Sequence, residues 1–258
     1  MKKTDWAVIT GASSGIGKEF SYELAKKGYN VALVARSQDK LEDVAADIEK
    51  QYERETRIIP LDLTHEHFAQ ELSDKTAGLT VTMVINNAGF GTSGPFLEID
   101  DNREIEMIQL NCVAVTKIAR LFLKRMTETG RGDMIIMAST AAVQPCPWFA
   151  TYAATKAFDL HLAEALWYEM KAKGINVLAL NPPATATNFL AEAGIPTQQK
   201  GLATAEQAVH TAFRALGKKP SIIVGGKNRF MAFSERFTPK KLLLTVTSHI
   251  MKKMISTS

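Results

Sequence analysis

The chain has 258 residues, 46% of them hydrophobic, and a formal net charge of +4. That suits one sizeable α/β domain better than two, and no Pro/Gly/Ser-rich linker, low-complexity tract or internal repeat divides it. Nine Lys/Arg and one acid lie from Ala215 onward, net +8, against net −4 before it, which argues against a nucleic-acid-binding surface spread over the domain. No stretch approaches the ~20 apolar residues of a membrane span. Cys112 and Cys146 have neither metal nor redox spacing, so a reducing, cytoplasmic setting is expected.

The opening, MKKTDWAVITGASSGIG, imitates a signal peptide, but its apolar run is only about five residues long and passes into a glycine-rich loop. It reads as a first strand, WAVIT (6–10), followed by a helix ended by Gly28. Glycines between a strand and a helix allow a tight turn, let the backbone approach a pyrophosphate and aim the helix N-terminus at it. Gly11, Ser13, Ser14, Gly15, Ile16 and Gly17 are therefore candidate cofactor contacts, although three glycines also serve a plain turn. The second strand, NVALVAR (30–36), ends in Arg36, where an acid would hold a ribose 2′-hydroxyl. A guanidinium grips a 2′-phosphate instead, which favours NADP(H) over NAD(H). The third, TRIIPLDL (56–63), brings Asp62 and Leu63 towards an adenine edge. The fourth, TVTMVIN (80–86), runs into NNAG, whose small residues let Asn87, Ala88 and Gly89 lie along a cofactor.

Asp100 and Asp101 read as a helix cap rather than paired catalytic carboxylates, and Gly130 closes the helical region before the fifth strand, DMIIMAS (133–139). That strand ends in Ser139. Further on, TYAATKAF puts Tyr152 and Lys156 four apart on one face of a helix closed by Gly174, so a phenol and an ammonium can meet the same bound molecule. The sixth strand, INVLALN (175–181), leads into NPPATATNF, and SIIVGG (221–226) is the last. Short apolar runs alternating with helix-length segments imply an α/β fold: a doubly wound parallel sheet of about seven strands, in one Rossmann-type domain over 1–258 with a basic C-terminal extension from about 227. Ligands of such sheets bind at the carboxyl ends of the strands. His65, His67, His161, His210 and His249 are scattered, so no metal site is expected.

In combination, TGASSGIG, NNAG, Asn111 in the following helix, and Ser139, Tyr152 and Lys156 in this order and spacing resemble the short-chain dehydrogenase/reductase family. The resemblance runs from Thr10 to about Phe189 by motif and through SIIVGG by layout. It implies an NADPH-preferring oxidoreductase, a homodimer or homotetramer, that moves a hydride between a nicotinamide cofactor and a small-molecule carbonyl/alcohol substrate. Tyr152 would be the general acid in reduction and, as phenolate, the base in oxidation. A free phenol titrates near ~10, and Lys156 with the positive ring of the oxidised cofactor would lower that value. Ser139 would hold the substrate oxygen, Asn111 would help fix a proton-relaying water through its backbone or side chain, and Lys156 would bind the ribose hydroxyls. Pro182, Thr185 and Thr187 would lie against the nicotinamide. One departure is Pro183, where the family usually has glycine; proline fixes φ and removes an N–H, which bears on the nicotinamide pose. Another is Ser14, where the family often carries a second basic residue, so a preference for NADPH rests on Arg36 and is expected to be moderate.

Phe90, Phe96, Trp148, Phe149 and Phe189, in FGTSGPF, PCPWFA and the stretch from Thr187 to Gly201, would form an apolar substrate wall, pointing to a lipophilic ketone, steroid-like or acyl compound. The same aromatics would also serve to pack loops. In the tail, Thr238 and Pro239 start a helix on which Leu243, Val246, Ile250 and Met254 recur at helical spacing among Lys240, Lys241, Lys252 and Lys253. Such a helix suits peripheral contact with an anionic membrane, or packing on protein. Two rival readings are a non-catalytic dinucleotide-binding sensor or scaffold, which the intact Ser139, Tyr152, Lys156 and Asn111 oppose, and a methyltransferase-like enzyme, in which Arg36 and the Tyr/Lys pair have no role.

Overall fold

In the computed structural model, which describes residues 5–196, 201–235 and 237–256, strands and helices alternate along the chain. The first half comprises β1 (Asp5–Thr10), α1 (Gly15–Lys26), β2 (Asn30–Ala35), α2 (Gln38–Tyr52), β3 (Thr56–Pro60), α3 (Phe68–Lys75) and β4 (Thr80–Asn86). After it come α4 (Asp101–Ile108), a wide π-helical turn (Gln109–Ala114) and α5 (Val115–Thr129). The second half comprises β5 (Gly132–Met137), α6 (Ala150–Lys171), β6 (Ile175–Asn181), the short α7 (Phe189–Glu192), α8 (Ala205–Ala215), β7 (Ser221–Ile223), α9 (Gly226–Glu235) and α10 (Lys240–Ser256). The seven strands are parallel in the order β3-β2-β1-β4-β5-β6-β7.

The two-residue alternation of β1 shows how both faces are covered. Ala7 and Ile9 meet Phe20 and Leu24 of α1, Leu41 and Val44 of α2 and Val209 of α8, while Trp6 and Val8 belong to the layer of Phe68 from α3, Phe122 from α5 and Leu160 from α6. Because the chain leaves β1 for β2 on one side and returns to β4 on the other, the carboxyl ends of β1 and β4 part at a switch point, where a crevice forms. A third apolar cluster, containing Phe90, Met107, Phe149, Tyr152, Leu190, Ile195 and Met251, gathers beyond the strand ends.

Strand boundaries match the sequence reading at β4 and β6 and depart from it elsewhere: β1 starts at Asp5, β2 ends at Ala35, and β5 runs from Gly132 to Met137, two residues short of Ser139. β3 stops at Pro60: the Leu61 amide makes a last bond to the Ala35 carbonyl of β2, and Asp62 then turns the chain by accepting from the Thr64 amide and hydroxyl. β7 stops at Ile223. The tail is no simple extension: Trp148 donates its indole N–H to Ser248 Oγ at 2.9 Å, and Met251 joins the third cluster, so α10 packs back over the strand ends.

Gly17 fixes α1 against this frame. A Cβ there would stand 2.2 Å from the Gly11 carbonyl oxygen and 2.6 Å from Asn87 Nδ2. Gly17→Ala should therefore push α1 off the glycine turn and destabilise the fold by ~1–3 kcal/mol, read as a lower urea midpoint; an unchanged midpoint would show that the turn relaxes freely.

Candidate active site

A continuous cavity of about 450 Å³ runs along the carboxyl ends of the strands, from the glycine turn past Tyr152 to α9 and α10. Gly11, Ser13, Ser14, Gly15 and Ile16 line one end, whereas Gly17 does not; it is the packing glycine just described. Gly11 and Gly15 hold left-handed backbone (φ +68 and +54), and a side chain at either would meet Asn87 Nδ2 at 2.6 Å or Thr187 at 3.0 Å. Asn87 is tied down in turn, its Nδ2 donating to the Thr10 carbonyl at 2.9 Å and its amide, like that of Ala88, to Thr10 Oγ1. This turn of small residues, leading straight into a helix N-terminus, fits a dinucleotide pyrophosphate.

Asp62, Leu63, Asn87, Ala88 and Gly89 also line the cavity, and so does Arg36 at its rim. Arg36 is exposed and its Nη1 lies 3.7 Å from Glu106 Oε1; Arg103 bonds the other Glu106 oxygen at 2.6 Å. Burial works against the Asp62 carboxylate, but the two Thr64 hydrogen bonds and nearby Arg36 outweigh it and hold its pKa below the usual value. Ser37 and Lys40 line the same end and were missed in the sequence. Their signal was there, since both follow Arg36 within four residues, at the start of α2.

At the centre, α6 turns Tyr152, Lys156 and Asp159 inward together. The Tyr152 ring sits between Phe149 and Phe189, with centroids 4.6 and 5.3 Å away, and Gly91 makes room for it. Ser139 Oγ accepts the Ala141 amide at 3.1 Å, leaving its own hydrogen for Tyr152. Lys156 Nζ donates to the Met137 carbonyl at 2.9 Å and to Asp159 Oδ2 at 3.0 Å. Burial pushes the phenol above its ordinary pKa; Lys156 and Ser139 pull against that, and Asp159 adds to it. Burial also opposes the Lys156 ammonium, but Asp159 and Tyr152 outweigh it and hold the lysine above its ordinary value. The Asp159 carboxyl is itself pushed up to about 6 by burial, against the pull of Lys156. Asp159 was not singled out in the sequence, where it belongs to none of the motifs.

Asn111 has another task. Buried in the π-helical turn, it donates to the Phe90 carbonyl at 2.9 Å and to Thr155 Oγ1 at 3.0 Å and accepts from the Phe90 amide, so its side chain clamps the NNAG segment to α6 and does not line the cavity. Only its main chain is left for the relay that the resemblance implies. Pro182, Pro183, Thr185 and Thr187 do line the cavity, and the Pro183 carbonyl accepts the Thr185 hydroxyl at 2.8 Å.

Of the expected aromatic wall, Phe90, Phe149 and Phe189 line the cavity. Phe96 is exposed on a single turn, and Trp148 is engaged with α10, where Lys252 Nζ lies 4.5 Å over its ring. Residues 197–200 of the stretch after Thr187 fall outside the described residues. The wall is completed instead by Met231, Ile250, Met251 and Met254 of α9 and α10. On α10 the inward residues are Leu243, Thr247 and Met251, while Val246 and Ile250, expected to share the face of Leu243, are exposed.

A family model described as short chain dehydrogenase matches residues 5–197, and the chain belongs to that family. It is an oxidoreductase that uses a nicotinamide dinucleotide on a carbonyl/alcohol pair. It is 36% identical over 217 residues to very-long-chain 3-oxoacyl-CoA reductase of Bos taurus, a match covering 83% of this chain and 69% of that protein. With 17-beta-hydroxysteroid dehydrogenase type 3 of Homo sapiens it shares 38% identity over 185 residues, 70% of this chain and 59% of the relative. Among solved structures, a 7beta-hydroxysteroid dehydrogenase superposes with a TM-score of 0.87 at 27% identity, covering 94% of this chain and 96% of that one. A short-chain dehydrogenase from Sphingobium yanoikuyae in complex with NADPH gives 0.81 at 27% identity, covering 90% and 93%. These relatives overturn the cytoplasmic setting expected from the cysteines: very-long-chain acyl groups and steroids, the substrates in their names, partition into membranes, and a thiol count says nothing about that.

The Lys156–Asp159 contact is open to direct measurement. With the counter-charge gone and burial unopposed, Asp159→Asn should lower the Lys156 pKa, followed by NMR of isotope-labelled lysine Cε. An unchanged or raised value would remove Asp159 as its counter-ion.

Proposed function

We propose that this protein is an NADPH-preferring reductase of bulky, lipophilic ketones in which Tyr152 donates the proton, Ser139 holds the carbonyl oxygen and Lys156 orients the cofactor. The observation that carries this reading is the meeting of Ser139, Tyr152 and Lys156 midway along a cavity that has a glycine turn and Arg36 at one end and apolar side chains at the other. Residues Gly11 to Ile16 would hold the pyrophosphate, Asp62 and Leu63 the adenine, and Asn87 to Gly89 the adjoining sugar. Lys156 would take the nicotinamide ribose, with Pro182, Thr185 and Thr187 beside the ring. When bound, the cofactor supplies the hydride.

Tyr152 does the proton work. Its raised pKa keeps the phenol protonated at neutral pH, ready to donate as the carbonyl oxygen gains charge, while Ser139 donates to the same oxygen. Asp159 balances the Lys156 charge and so helps keep the phenol in its donating form, which suits reduction. The similarity to very-long-chain 3-oxoacyl-CoA reductase and to 17-beta-hydroxysteroid dehydrogenase type 3 supports a large apolar substrate. Exposed Ile105, Ile108 and Val113, along α4 and the following turn, support assembly as a homodimer or homotetramer.

Tyr152→Phe should lower NADPH-dependent turnover of bulky ketones at least ~hundredfold with little change in NADPH affinity. In the wild type, reduction should be fastest below the Tyr152 pKa and fall as pH rises through it, because the protonated phenol is the active form. Near-normal turnover by Tyr152→Phe, followed by NADPH absorbance, would overturn the mechanism.

Arg36, with Ser37 and Lys40, would hold the 2′-phosphate through charged hydrogen bonds worth ~1.5–3 kcal/mol each, about ten- to a hundredfold in affinity. Arg36→Asp should shift preference towards NADH, and added salt should weaken the wild-type preference because the site is exposed. Equal kcat/KM for NADH and NADPH in the wild type at low salt would refute this role.

A further inference from the structure

We infer that α9 and α10 form a docking surface for an anionic lipid bilayer, and that a water-insoluble substrate enters the cavity through it. The second half rests on the proposed ketone reductase activity; the first stands without it.

Phe230, Phe233 and Phe237 are 73%, 58% and 74% exposed, at spacings of three and four residues that bring them to one side of α9 and its following turn. The Phe233 and Phe237 rings touch edge to face, and none of the three joins an apolar cluster among the described residues. On α10, Leu242, Val246 and Ile250 are exposed at four-residue intervals, while Leu243, Thr247 and Met251 one position on are buried. Single exposed apolar side chains are ordinary on a soluble surface, but two consecutive helices each presenting a row of them mark an interaction face.

Charge decides between the occupants of that face. From Gly226 to Ser256 the sequence has seven Lys/Arg and one acid. Two copies of the face pressed together would set the exposed Lys227, Arg229, Lys240, Lys241 and Lys253 against their own kind, whereas a layer of anionic headgroups accepts these side chains as the phenylalanines enter the acyl boundary. Neither helix is long and apolar enough to cross a membrane, so both would lie in the interfacial plane.

The face also forms the rim of the cavity. Met231 and Ile250 are 43% and 47% exposed, yet both line the cavity, with Ala232, Met251 and Met254 behind them. A lipid-soluble ketone leaving the bilayer here would pass over apolar side chains towards Tyr152 without crossing water.

The test uses the full chain and sedimenting vesicles of phosphatidylcholine, with and without phosphatidylserine. Binding should be at least about tenfold tighter to the mixed vesicles and weaken with salt, and hydrogen exchange should slow across residues 226–256 of the wild type when they are added. Changing Phe230, Phe233 and Phe237 together to Ser should cut binding at least about tenfold, preserve turnover of a short, water-soluble ketone, and reduce turnover of a long-chain ketone presented in vesicles. The surface is overturned if the wild type ignores phosphatidylserine vesicles, if exchange slows elsewhere instead, or if the triple variant binds undiminished. It is likewise overturned if sedimentation shows a dimer that the triple variant dissociates, since a second copy then covers the face. Vesicle binding through these residues by a protein that reduces no ketone would leave the docking surface standing and remove the reductase reading.

Discussion

A buried ammonium needs a counter-charge, and in this protein that need organises the centre of the molecule. Lys156 lies almost wholly out of water, where an unpaired ion costs several kcal/mol by order of magnitude. Its two acceptors come from different elements: Asp159 from its own helix and the Met137 carbonyl from the end of β5. Both can be met only if α6 lies on β5 at one rotation and one height. That placement sets Tyr152 one turn back along the helix, against Ser139 just beyond the same strand. The bond from Asn111 to Thr155 then draws the NNAG segment and the π-helical turn onto the same helix.

The charge pattern repeats at the far end of the cavity with the opposite degree of solvation. Arg36 lies near Glu106 in the open, where water screens the pair and a phosphate can compete for the guanidinium. Lys156 meets Asp159 in the dry interior, where burial raises the carboxyl pKa against the pull of Lys156, and the carboxylate raises the lysine pKa against burial. The exposed pair suits a ligand that must come and go; the buried pair suits a lysine that must hold its place.

Rigidity is also unequally distributed. The strands that carry the site are buried on both faces, whereas α9 has no buried residue. Opening at α9 breaks little apolar packing, so that part of the cavity rim belongs to the low-stability end of the structure and the strand ends beneath Tyr152 to the high end. In the proposed reaction, this division would let a bulky substrate enter without disturbing the alignment of Tyr152 and Ser139.

Much of this was legible in the sequence because it is local. The apolar runs mark the seven strands, the glycine spacing marks the turn into α1, and the four-residue interval puts Tyr152 and Lys156 on one face. Asp100 caps α4 by accepting the Arg103 amide, as its position before the helix predicts. Other assignments needed the folded chain, because they depend on distances between residues far apart in sequence. Gly17 resembles its neighbouring glycines until α1 is laid against the Gly11 carbonyl and Asn87, and the Asn111 side chain looks available until Phe90 and Thr155 claim it. Asp159 is one more helical acid in the sequence; its meaning comes from a burial that only packing creates. The tail shows the division most clearly: sequence alone determined that it is basic and periodically apolar, but packing on Trp148 and the third cluster decided which of its apolar residues face inward and which face out, because side-chain burial follows from what a helix lies against and not from its period.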